Sequence, residues 1–171
     1  MLKTGLIVIA ASGIAAAAAA QAPTDAQIAA IVVTANQVDI NAGRLAEQKA
    51  QNAQLKAFGK QMVTDHTGVN KQATDLVTKL GVKPEDNPTA QSLKSGGDDN
   101  VKTLKALNGA AFDKAYIDHE VAYHQQVLDA MDRTLIPSAT NPELKALLQK
   151  VRPAFASHLE HAKQLQSTLG K

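Results

Sequence analysis

Four separate stretches of this chain carry apolar side chains at steps of mostly three and four residues, and that periodicity constrains the fold more than any other feature. The last stretch reads Leu144, Leu148, Val151, Phe155, His158, Ala162, Leu165, Leu169, and the first reads Ile28, Ile31, Ala35, Val38, Ala42, Leu45. Between them lie Leu55, Phe58, Met62, Asp65, Val69, Leu76, Leu80 and then Asp113, Ile117, Val121, His124, Leu128, Met131, Leu135. Such steps place side chains along one face of an α-helix, and a helix with one apolar face is stable only against other helices. Aromatic residues are 3% of the chain and no apolar alternation occurs, so an outer-membrane barrel is excluded and an all-α fold is expected.

The punctuation divides the chain. Thr24 with Gln27 three residues on is a capping box for the first helix. The first turn falls at Gln51 and Asn52, where Asn52 is the one residue suited to cap the second helix. Gly81 and Pro84 end that helix. Asp86-Asn87-Pro88 and Ser95-Gly96-Gly97-Asp98-Asp99 read as loops, with a short helix over residues 101–107. Asn108 can cap a third long helix over 109–136. Pro142 opens a fourth, which Pro153 is expected to kink. The connection over residues 81–108 is long enough to return along a whole helix, whereas the flanking turns are short. That is the connectivity of a ferritin-like four-helix bundle, in which a crossover makes the two middle helices parallel; an up-down-up-down bundle is the alternative.

The start of the chain reads as an address rather than as structure. Residues 1–20 hold Lys3, an apolar run and an alanine-rich end with no acid, the pattern of a secretory signal peptide. Cleavage after Ala20 leaves one domain over residues 21–171, large enough to bury a single core. A periplasmic protein is expected, not membrane-embedded once the signal is removed, since the apolar run is short of the roughly 20 residues that span a bilayer. The absence of cysteine excludes disulfides, thiolate metal sites and cysteine catalysis. Of 18 basic residues Lys3 leaves with the signal, so the remainder carries a net charge near +1 and no nucleic-acid partner is indicated. No phosphate loop, dinucleotide fingerprint or serine-nucleophile motif is present.

Polar residues interrupt the seams near the middle of each helix: Asp39 in the first, Asp65 and His66 in the second, His124 with Glu120 four residues earlier in the third, and His158 with His161 in the fourth. An acid or an imidazole in a bundle core is costly unless it pairs, hydrogen-bonds or binds something. Four helices bringing such residues to one level suit iron, manganese or zinc. The Glu-x-x-His signature of dinuclear bundle sites is missing, so a mononuclear site is the form expected. A structural hydrogen-bond network accounts for the same residues without a metal.

The segments NQVDINAGRLA (36–46), LKAFGKQMVTDH (55–66), FDKAYIDHEVAYH (112–124) and PAFASHLEHA (153–162) resemble the exported ferritin-like family catalogued as domain of unknown function 4142. The resemblance spans nearly all of the expected mature chain. It implies a ferritin-like bundle and singles out Asp65, His66, Asp113, His124 and His158 as matching positions. It implies no activity. Where the family tends to carry Glu on the first helix, this chain has Asp39 and Asn41. Three readings therefore stand: an exported bundle holding a metal ion, a non-catalytic structural or envelope-stress interaction protein whose polar layer fixes helix register, and a pH-responsive bundle of clustered histidines.

Overall fold

The computed structural model describes residues 22–169, so the expected signal peptide lies outside the described residues. Among them the chain is helical, with α1 over Asp25–Lys49, α2 over Ala53–Lys79, α3 over Pro88–Ala106 and α4 over Gly109–Ala130. α4 continues through a π-helical turn, Met131–Leu135, into a short α5, Ile136–Ser138, and α6 covers Pro142–Leu169.

The helix ends follow from local chemistry. Thr24 and Gln27 form the capping box at the start of α1, and the Asn52 side chain accepts from the Gln54 and Leu55 amides at the start of α2. Gly81, at φ 65°, closes α2 with the paired bonds of a Schellman motif: the Gly81 amide donates to Thr78 and the Val82 amide to Val77. Asp25 accepts from both Thr140 and Asn141, tying the start of α6 to the start of α1.

Contacts between helices fix their directions. Gly43 faces Gly59 and Asn36 faces His66, so α1 and α2 are antiparallel. Phe58 meets Tyr116 and His66 meets His124, an equal advance along both chains, so α2 and α4 run parallel. α6 opposes both, through Lys79 with Glu143 on α2 and Asp132 with Arg152 just beyond α4. Two apolar clusters fill the interior. One contains Ile28, Val127, Leu148 and Phe155, and the other contains Leu55, Phe58, Phe112 and Tyr116.

The main departure from the sequence reading is α3. Residues 95–99 are not a loop, and the helix expected over 101–107 starts instead at Pro88, capped by Asn87. It runs parallel to α1, from the contact of Asn87 with Gln27 to that of Lys49 with the Leu104 carbonyl. Packing explains the second of the two mid-helix glycines, Gly97. A Cβ there would lie 2.6 Å from a Val38 methyl, so its missing side chain lets α3 lie close on α1. The π turn has a local cause as well. Pro137 has no amide to donate and its ring would crowd the Arg133 carbonyl in a regular helix, and the wider turn just before it relieves that crowding. Pro153 is accommodated inside α6 without interrupting it.

Candidate metal centre

At mid-height, between the two apolar clusters, five ionisable side chains from α1, α2, α4 and α6 share a space closed to solvent. Asp39 is 1% exposed, His66, Glu120 and His124 are each 0%, and His158 is 3%. The amphipathic spacing brings them there, since each occupies or flanks a seam position about halfway along its helix.

The hydrogen bonds of the three imidazoles share one logic. The Asn36 amide group donates to the Val32 carbonyl, 2.8 Å away, so its oxygen faces His66 and accepts from His66 Nδ1 at 2.7 Å. The Nδ1 of His124 donates to the Glu120 carbonyl one turn back, at 3.0 Å. The Nε2 of His158 lies 2.9 Å from the Asp65 carboxylate. Each ring thus spends one N–H on a partner at the edge of the layer and turns a lone pair inward. The inward atoms, His66 Nε2, His124 Nε2 and His158 Nδ1, have no hydrogen-bond partner, nor do any of the carboxylate oxygens of Asp39 and Glu120.

The rings pack around a common point. Centroids of His66, His124 and His158 are 5.7, 5.3 and 5.5 Å apart, and Phe155 stands edge-on to His66 at 5.0 Å. One donor atom from each of the three histidines lies within 4.8 Å of the others, and the same holds for Asp39, Glu120 and His124. Donors bound tetrahedrally to one ion at 2.0–2.1 Å sit about 3.4 Å apart, so small side-chain shifts would close either set on an ion.

Burial sets the protonation of the layer. Burial holds His66 well below the usual imidazole range, with His124 and His158 adding to the effect. Burial lowers His124 to about 4, with His158 next in effect and the Glu120 carbonyl opposing. His158 is lowered by burial and partly restored by Asp65. All three rings are therefore neutral at pH 7 and offer lone pairs. Burial raises Glu120 to about 8, with the Tyr116 hydroxyl beside it opposing, and burial followed by repulsion from Glu120 raises Asp39 well above the ordinary carboxylate range. The Tyr116 hydroxyl falls short of hydrogen-bond geometry and is itself buried without a partner.

Two residues named with this group occupy other positions. Asp65 is at the margin, 41% exposed at its side chain, and holds His158 rather than facing the interior. His161 lies beyond the layer, its ring edge-on to Phe58 at 5.2 Å. Asp113, singled out only by resemblance, is buried at the α1–α2 turn, where its carboxylate accepts from the Gln51 and Asn52 amides. Asn36 was not among the sequence candidates. It lies three residues before Asp39, one helical step along the same face, and that spacing was the available signal.

The fold and the buried group together define an all-helical protein with a histidine and carboxylate cluster at its centre. The chain belongs to the family described as a domain of unknown function, DUF4142, whose match extends over residues 10–165. Among solved structures it is similar to one described as CopM in the Cu(II)-bound form, at 17% sequence identity and a TM-score of 0.67, covering 85% of this chain and 98% of that one. No curated protein matches in sequence. Among the described residues no helix is long and apolar enough to cross a membrane.

Proposed function

We propose that this is an exported, periplasmic protein with a ferritin-like bundle that binds a divalent first-row transition ion between His66, His124 and His158, with Asp39 and Glu120 completing the donor set. The observation that carries this reading is the orientation of the rings. Three histidines on three helices each commit one nitrogen to a hydrogen bond and leave the other without one, and two unpartnered carboxylates stand beside them, Asp39 3.5 Å from His66 Nε2 and Glu120 3.5 Å from His124 Nδ1. A structural hydrogen-bond network would pair these atoms with one another, because a buried polar atom left unpaired costs about 1 to 3 kcal/mol. Here seven inward atoms are unpaired in one place.

Imidazole and carboxylate donors without thiolate suit zinc, iron, manganese and copper(II), and among these copper(II) binds such donors most tightly. That CopM holds Cu(II) in a similar fold adds copper to the candidates. Asn36 and Asp65 would act one step removed, fixing the tautomer and orientation of His66 and His158. The signal peptide over residues 1–20 and a mature chain starting at Gln21 complete the proposal, and N-terminal sequencing of the exported protein checks them.

Metal analysis combined with thermal melting tests the centre. Saturating metal, at 100 times its dissociation constant, should stabilise the protein by about 2.7 kcal/mol. For a domain of this size that raises the melting temperature by roughly 5 to 11 °C. His124→Leu should abolish the shift while changing the metal-free protein by less than about 1 kcal/mol, since the ring's one hydrogen bond is to its own helix. A wild type that takes up no ion and shows no shift rejects the metal centre.

A further inference from the structure

A cavity lies against the buried layer. It has a volume of about 730 Å³ and opens among α1, the start of α3, the π turn after α4, and α6. Its walls include the core side chains Ile31, Val127, Leu148 and Val151, and its lining reaches Asn36 and Phe155. Those last two both touch His66, one by hydrogen bond and one by ring contact. No Asp, Glu, Lys, Arg or His is among the described residues that line it.

We infer that this cavity binds an uncharged, largely apolar small organic molecule, seated against Asn36 and Phe155. Three observations converge on that occupant. Packed interiors contain few voids larger than a water molecule, whereas ligand pockets run from about 300 to 1,000 Å³. Most of the lining side chains are apolar, with the polar but uncharged Asn36, Gln126 and Thr134 among them, and the lack of charge in the walls leaves an ionised guest without a counter-charge after its water is stripped. The third observation is the π turn, whose Met131, Thr134 and Leu135 line the cavity. Such turns, including one that a following proline such as Pro137 favours, are frequent at functional sites. The binding site stands independently of the metal proposal, and only the significance of its contact with the His66 supports rests on that reading.

The test uses the purified protein and N-phenyl-1-naphthylamine, an uncharged probe whose fluorescence rises in apolar surroundings. Saturable binding at one probe per chain is expected, displaced by decan-1-ol at least about tenfold more effectively than by decanoate. Ala130→Trp, which fills the lining from α4, should weaken the probe at least about tenfold with helical circular dichroism unchanged. Thr134→Trp, at an exposed position on the same lining, provides the same test if Ala130→Trp does not fold. Lys56→Trp, exposed on α2 and away from the lining, should bind as the wild type does. Absence of saturable binding, equal binding by the cavity variants, or decanoate competing as well as decanol would each overturn the inference. Metal content of the same sample decides the other proposal separately. Probe binding without metal supports the cavity while removing the metal, and metal without probe binding does the reverse.

Discussion

Two buried carboxylate regions, less than the length of one helix apart, show opposite solutions to the same cost. At the α1–α2 turn Asp113 reaches across from α4 and accepts from two amides, Gln51 at 3.0 Å and Asn52 at 2.9 Å. In the central layer Asp39 and Glu120 are equally buried and accept from nothing. The first arrangement is complete without a ligand and joins a turn to a helix. The second leaves its acceptors outside hydrogen-bond geometry, with His66 Nε2 3.5 Å from the Asp39 carboxylate. Burial alone therefore does not separate the two regions, whereas the count of satisfied acceptors does.

The sharpest way to break this comparison is at Asp113. Asp113→Ala removes the acceptor for two amides and the link between turn and helix, so it should cost roughly 3 kcal/mol, a fall of roughly 6 to 12 °C in melting temperature. The loss should be the same with and without metal, and a metal-dependent loss at Asp113 would erase the distinction between the regions.

The acids of the central layer should instead reveal themselves through pH. The folded value of Glu120, about 8, lies above its ordinary 4.5, so its contribution to stability is present below about 4.5 and is lost as pH rises toward 8. The folded value of His124, about 4, lies below the ordinary 6.5, so its contribution is present above 6.5 and is lost as pH falls toward 4. The two trends oppose each other between these values. Only the carboxylates act from pH 6.5 to 8, where the metal-free protein should lose on the order of 2 kcal/mol. Glu120→Gln should remove much of that slope, and bound metal should flatten it because an ion keeps the carboxylates ionised in the folded state, as they already are in the unfolded chain. Chemical denaturation across this interval measures both, and a flat metal-free profile would contradict the assignment.

The smallest effect is expected at His161. His161→Ala gives up one edge contact with Phe58 and should cost less than about 1 kcal/mol. Metal stoichiometry should stay unchanged, and a loss of metal in this variant would enlarge the site beyond the central layer.

The sequence announced some of this more clearly than the rest, for physical reasons. Periodicity located the long helices, and Thr24 with Gln27, Asn52 and Gly81 marked their ends, because a cap acts through residues only a few positions away. Asp39, His66, Glu120, His124 and His158 stood out because each placed a titratable group on or beside an apolar seam. The course of α3 was hidden. Gly96-Gly97 has the composition of a breaker, and only the approach of Val38, 59 positions away along the chain, turns Gly97 into a packing residue. His161 and Asp65 lie close enough in sequence to the central layer to be grouped with it. Their separation depends on side-chain direction, which spacing does not specify.

The contact between Gly43 and Gly59 reaches further than the two residues it joins. A Cβ on either would lie 2.7 Å from the other's carbonyl oxygen, so the backbones of α1 and α2 touch with nothing between them. Two rods pressed together at one point can neither slide nor roll there without collision. A slip of one residue would turn a helix by about 100°, carrying Asp39 off the face that meets His66. This pair of glycines, with no chemistry of its own, sets the rotational phase of α1 against α2 for the layer one turn away.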